Sequence, residues 1–221
     1  MPQTMVQEMT LTQIVEQAAA LAVPGERHIL GLTGAPGAGK STVASQICEA
    51  LGSQLATLVP MDGFHLSNRV LEDLSRRDRK GAHDTFDNAG YANLMSRLRR
   101  QDPSATAQQG EVIYAPTFRR EIEEPVASAL PVFGDVPLIV TEGNYLLLDR
   151  DAWPLAREQI DEVWFLAPSD EVRKARLVKR HQDYGKTLED AERWALGSDQ
   201  RNAELIESTA KRADRIILLQ N

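Results

Sequence analysis

Eight consecutive residues, Gly34-Ala35-Pro36-Gly37-Ala38-Gly39-Lys40-Ser41, carry the densest chemistry in the chain. They match the pattern G-x4-G-K-[ST], in which glycines let backbone N–H groups turn inward around an anion and a helix N-terminus adds partial positive charge. Lys40 has the reach to meet the β- and γ-phosphates of a nucleoside triphosphate. The Ser41 hydroxyl can ligate Mg²⁺, and Thr42 completes the phosphate-binding segment. A second signal is Asp62, in Met61-Asp62-Gly63-Phe64-His65. An acid at the carboxyl edge of a strand beside such a loop lies where open α/β sheets bind their substrates. There it can take the proton of an attacking hydroxyl, or hold that hydroxyl in line. The plainer reading has Asp62 capping a turn that Gly63 permits. The third signal is Arg173-Lys174-Ala175-Arg176-Leu177-Val178-Lys179-Arg180-His181, with five positive charges in nine residues. On a helix, Arg173, Arg176 and Arg180 share a face. Such a segment can close over a triphosphate, neutralise developing charge and exclude water, with Arg176 and Arg180 as the favoured charge-stabilisers. The alternative is a solvated helix face balanced by Asp170 and Glu171.

These groups need a scaffold, and the hydropathy pattern supplies one. Helix-like and strand-like segments alternate, which favours a mainly parallel α/β sheet. Thr10 to Ala22 reads as an amphipathic helix, opened by a Thr10/Gln13 capping box and closed by Pro24-Gly25. Strands are expected at His28 to Thr33, Leu55 to Met61, Val136 to Thr141, Glu162 to Leu166 and Arg215 to Leu219. Helices are expected at Ser41 to Leu51, Ser67 to Leu74, Asn88 to Arg100, Glu171 to Arg180 and Thr187 to Lys211, with a surface loop over 104–110. The expected architecture is a P-loop NTPase three-layer sandwich in a single domain over residues 1–221, with a small helical lid at about 173–187.

Composition narrows the function. The 221 residues are 42% hydrophobic and 26% charged, enough for a core. The formal net charge of −7 argues against a nucleic-acid partner. Cys48 is the one cysteine, so neither an intrachain disulfide nor a multi-cysteine zinc site can form. No uncharged apolar run approaches the roughly 18 residues of a membrane span, and no signal peptide is visible, so a cytoplasmic location is the default expectation. His28, His65, His83 and His181 are dispersed, without metal-ligand spacing. The guanine-reading Asn-Lys-x-Asp of GTPases is absent, and Leu138-Ile139-Val140-Thr141 leads to Glu142-Gly143 rather than to the Asp of motor ATPases. Small kinases remain.

At this point the chain resembles the P-loop kinases that include uridine kinase, bacterial pantothenate kinase and phosphoribulokinase, and within them the bacterial nucleoside/nucleotide kinase family proteins labelled as fructose-transport-system kinases. The resemblance runs from about His28 onward. It rests on the phosphate loop, Met61 to His65, Asp84-Thr85-Phe86-Asp87-Asn88, Tyr114-Ala115-Pro116-Thr117-Phe118-Arg119-Arg120, Thr141-Glu142-Gly143-Asn144-Tyr145 and the Arg173 to Arg180 stretch. It implies ATP and Mg²⁺ as cofactors, Asp62 as general base and Glu142 as a carboxylate at the Mg²⁺. The same resemblance puts Asp84 and Tyr114 in the acceptor pocket, and His65 and His83, by their position beside the motif residues, are candidates to line it. Uridine kinases follow the matching Tyr with Asp and carry a His five residues on; Ala115 and Arg119 stand here, which leads away from a pyrimidine nucleoside. Arg119 and Arg120 suit an acceptor with a carboxylate or phosphate, or else sit on a solvated loop. The expected activity is phosphoryl transfer from Mg-ATP to a hydroxyl of a small metabolite, a sugar or polyol. The rivals are a nucleoside or pantothenate kinase and a regulatory nucleotide-binding protein of a transport system. A homodimer is compatible with all of this, while membrane insertion is not expected.

Overall fold

The computed structural model describes residues 4–104, 111–183, 185 and 187–220. Most of the loop expected over 104–110, and positions 184 and 186 of the lid, lie outside them. Six strands form one parallel sheet: β1 (Met5–Met9), β2 (His28–Thr33), β3 (Ala56–Pro60), β6 (Leu138–Glu142), β7 (Glu162–Leu166) and β8 (Arg215–Leu219), in the order β1-β8-β7-β2-β6-β3. A separate antiparallel ribbon pairs β4 (Ile113–Arg119) with β5 (Glu124–Val132). The helices are α1 (Leu11–Ala19), α2 (Lys40–Leu51), α3 (Asn68–Asp73), α4 (Asn88–Arg100), α5 (Trp153–Arg157), α6 (Asp170–Asp183), α7 (Leu188–Leu196) and α8 (Ser198–Glu207). Among the described residues, no helix is long and apolar enough to cross a membrane.

The central strands are apolar on both faces because helices cover both. Alternate residues of β2 show the partition. Ile29 packs with Tyr91, Leu94, Leu98 and Trp153 on the α4/α5 side. Leu30 and Leu32 pack with Ile14, Val43 and Ile47 on the α1/α2 side. The capping box at the head of α1 forms as the spacing predicts: Thr10 Oγ1 accepts from the Gln13 amide and Gln13 Oε1 accepts from the Thr10 amide.

Three expectations need correction. The helix expected over Thr187 to Lys211 is two helices, broken at Gly197, where φ −99°, ψ −93° is not helical. β1 and the β4–β5 ribbon form where no strand was expected. α1 stops at Ala19 rather than Ala22.

Candidate active site

Sheet order delivers the chemistry to one place. β2, β6 and β3 are neighbours, and their carboxyl ends lead respectively into the phosphate loop, to Glu142 and to the 3₁₀ turn Met61–Phe64 that carries Asp62. A cleft of about 950 Å³ opens there, lined by the loop, Asp62, Glu142 and residues of α6 and α8.

The loop residues Gly34 to Gly39 wrap into the N-terminus of α2, whose cap Gly39 adopts left-handed φ +93°. Gly37 has φ +83°, and a β-carbon there would lie 2.7 Å from the Arg173 carbonyl oxygen and 2.9 Å from Leu177 Cγ. Glycine therefore lets the loop turn and lets α6 lie against it. Lys40 is buried, and its Nζ donates to the carbonyls of Gly34 (2.8 Å) and Ala35 (3.2 Å). Burial lowers its pKa to about 8, against the opposing pull of Glu142 and Asp62; the charge of Arg180 adds to the lowering. Ser41 Oγ donates to Glu142 Oε1 at 3.1 Å. Burial, then the nearby Asp62, push Glu142 up to about 7. Pro36, Gly37, Gly39, Lys40, Ser41 and Thr42 face the cleft, while Gly34, Ala35 and Ala38 shape the loop behind them.

Asp62 Oδ2 lies 3.7 Å from Arg120 Nη2. His65 Nδ1 is 2.8 Å from the Asp62 carbonyl oxygen, and its ring sits 4.0 Å from Phe86 and 4.6 Å from Phe118. Burial lowers its pKa, favouring the neutral imidazole. Arg176 and Arg180 both reach the cleft from α6, and Arg176 Nη1 lies 3.3 Å from where a β-carbon on Gly39 would be. Arg173 does not join them. It is buried, paired with Asp170 (2.5 Å) and donating to Gln200 (2.7 Å), so it ties α6 to α8.

The structure therefore brings together the loop, Asp62, His65, Glu142, Arg176 and Arg180. It holds three other expected residues away. Tyr114 points outward from β4, 54% exposed, because Ile113 and Ala115 on either side take the buried face. Arg119 is exposed and pairs with Glu121, and Arg120 lines the cleft in its place. Asp84 faces Arg76 and Arg79 instead of lining the cleft, although its neighbour Phe86 does. Lining residues outside the expected set include Arg77, Lys80, Phe86, Phe118, Glu123 and Trp194. Phe118 has the parity of the outward Tyr114, and only the register shift between Ala115 and Thr117 breaks that alternation, so a period-2 pattern alone does not reveal it.

The arrangement is that of a phosphate-binding loop facing a carboxylate across a water-accessible cleft, with arginines above it. Comparisons agree. A 34% identical relative over 180 residues, named "Putative uridine kinase C227.14" from Schizosaccharomyces pombe, covers 76% of this chain and 72% of its own length. The chain is similar to a crystal structure named "putative fructose transport system kinase" from Silicibacter sp. TM1040, with 36% identity, a TM-score of 0.81 and coverage of 94% and 98%. It shares its fold with YFH7 from Saccharomyces cerevisiae, described as "a putative P-loop containing kinase with a circular permutation", at 17% identity, a TM-score of 0.79 and coverage of 96% and 98%. The sequence model of the phosphoribulokinase/uridine kinase family matches residues 29–220, and the chain is a P-loop kinase belonging to that family.

Proposed function

We propose that this kinase transfers the γ-phosphoryl group of Mg-ATP to a hydroxyl of a sugar or sugar-like polyol. The observation that carries the proposal is Asp62, held on the turn after β3 beside Glu142 and across the cleft from the phosphate loop. Asp62 accepts the acceptor's hydroxyl proton. The hydroxyl oxygen forms the new bond to the γ-phosphorus, and the bond from that phosphorus to the β,γ-bridging oxygen breaks, leaving ADP with the electron pair. Loop amides and Lys40 hold the phosphates, while Arg176 and Arg180 offset charge on the transferred group.

The donor set fits Mg²⁺. Ser41 Oγ and Glu142 Oε1 are hard oxygens 3.1 Å apart at the end of the loop, and Mg²⁺ takes few protein ligands beside waters and phosphate oxygens. When bound it supplies neutralisation of phosphate charge. The sugar or polyol acceptor finds support in the name of the Silicibacter structure and in the mixed aromatic and polar walls of the cleft around His65, Phe86 and Phe118.

The test is ADP release from Mg-ATP against fructose, ribose, inositol, glycerol, nucleosides and pantothenate, with Asp62→Asn alongside. Stimulation by a sugar or polyol that Asp62→Asn lowers by about 10²- to 10⁴-fold is the expected result. Stimulation by a nucleoside or pantothenate alone overturns the acceptor class. Slow hydrolysis indifferent to every acceptor and to Asp62→Asn overturns the kinase mechanism and favours a nucleotide sensor.

A further inference from the structure

Besides Arg176, Leu177 and Arg180, four cleft-lining side chains come from the helices above the sheet: His181 on α6, Trp194 on α7, and Asp199 and Asn202 on α8. None belongs to the phosphate loop or to the turn bearing Asp62. They are built into one another. His181 Nε2 lies 2.7 Å from Asp199 Oδ2, with the two side chains only 15% and 16% exposed. The His181 and Trp194 rings are 6.3 Å apart. Asp199 and Asn202 sit three apart on α8, and so on one face of it.

Asp199 lines the same cleft as Asp62, into which the attacking hydroxyl must come.

The residue types then select the ligand chemistry. A pyranose, furanose or cyclitol presents an apolar C–H face and a fringe of hydroxyls. Trp194, 40% exposed, offers a ring to the first. Asp199 can accept hydrogen bonds from hydroxyl groups, and Asn202 can both accept and donate. With Oδ2 held by His181, Oδ1 of Asp199 makes no hydrogen bond among the described residues. Resting on the acceptor reading above, we propose that Trp194, Asp199 and Asn202 form the ring-and-hydroxyl subsite for a carbohydrate acceptor, with His181 as the residue that positions Asp199.

The placement has a second effect. His181 follows Arg180 directly, so a sugar that fixes Asp199 also fixes the stretch of α6 carrying the arginine at the phosphates. Acceptor binding and phosphate charge neutralisation are then linked through one hydrogen bond, which restrains hydrolysis of ATP in the absence of acceptor.

The experiment measures acceptor and Mg-ATP kinetics for wild type, Asp199→Asn, Asn202→Ala and Trp194→Ala, using fructose, ribose and inositol as probes. Melting curves confirm that each variant is folded. The expected result is a rise of about tenfold in the KM for the sugar, equivalent to about 1.4 kcal/mol, with the KM for Mg-ATP within about twofold of wild type. His181→Ala should raise the sugar KM and the ratio of hydrolysis to transfer, and His181→Gln, which keeps a donor, should restore part of both. A raised KM for Mg-ATP with an unchanged sugar KM gives this wall to the nucleotide and overturns the proposal while leaving the kinase reading intact. Failure of every sugar to stimulate wild-type ADP release overturns the acceptor reading and this proposal together. Should Asp199→Asn lose its melting transition, Trp194→Ala and Asn202→Ala decide.

Discussion

Lys40 is a buried cation that the ligand-free fold tolerates rather than profits from, and replacing it by methionine exposes that. Burial lowers its pKa from 10.5 to about 8, so at neutral pH the charged ammonium costs the fold about 3 kcal/mol relative to the unfolded chain. The folded state binds this proton more weakly than the unfolded state does. Stability therefore rises with pH between the two pKa values, because the folded lysine has lost its proton there and unfolding must take one up. Moving from about pH 7 to about pH 9.5 should relieve roughly 2 kcal/mol of the cost in wild type and none of it in Lys40→Met. Glu142 pushes the same way. Lys40 favours its carboxylate, so without Lys40 it keeps its proton longer and the variant loses stability as Glu142 ionises. The assay is urea denaturation of both ligand-free proteins at the two pH values, with the difference in unfolding free energy compared between them. Wild type should gain on Lys40→Met by about 2 kcal/mol or more across the range. A difference that stays constant, or moves the other way, refutes the claim that the Lys40 ammonium is desolvated in the fold.

Two further outcomes follow from the geometry. A β-carbon on Gly63 would stand 2.4 Å from the Pro116 carbonyl oxygen, so Gly63→Ala should push the ribbon off the Asp62 turn, costing about 1–3 kcal/mol. Calorimetry should show a Tm lowered by roughly 2–4 °C for each kcal/mol, with activity falling as Phe118 and Arg120 move away; an unchanged Tm would contradict the close approach. Arg180→Ala should lower kcat by about 10²- to 10³-fold with a smaller change in nucleotide affinity, and an unchanged kcat with a raised KM for Mg-ATP would reduce Arg180 to a binding group.

What the sequence made legible was the part whose residue types are dictated by local physics. Gly37 and Gly39 announce a loop with positive φ, and the mostly apolar runs at His28 to Thr33 and Glu162 to Leu166 announce strands covered on both faces. Thr10 and Gln13 mark a helix start to the residue. The ribbon was illegible because Pro116, Pro125 and Pro131 sit in its strands and most of its residues are partly exposed, so neither alternation nor β-propensity stands out. The same obscurity hides that Ile113 and Ala115 take the buried face of β4 and turn Tyr114 outward, and that Arg120, just past the strand's end, lines the cleft where Arg119 does not. β1 was missed because four of its five residues are not buried. Asp199 and Asn202 could be noticed as neighbours on a helix but not weighed, since only the break at Gly197 and the bond to His181 show that they line the cleft.

The edge of the sheet farthest from β3 has a consequence for the order of assembly. β1 pairs in parallel with β8 alone, Met5 beside Arg215 and Met9 beside Leu219. Its partner is the last strand described, so during synthesis β1 and the head of α1 wait for a template that is translated just over two hundred residues later. The strands that hold the phosphate loop, Asp62 and Glu142 need no such delay, because β2, β3 and β6 meet one another well before β8 exists. The catalytic half of the sheet can therefore assemble first, while the far edge closes only once β8 has been made.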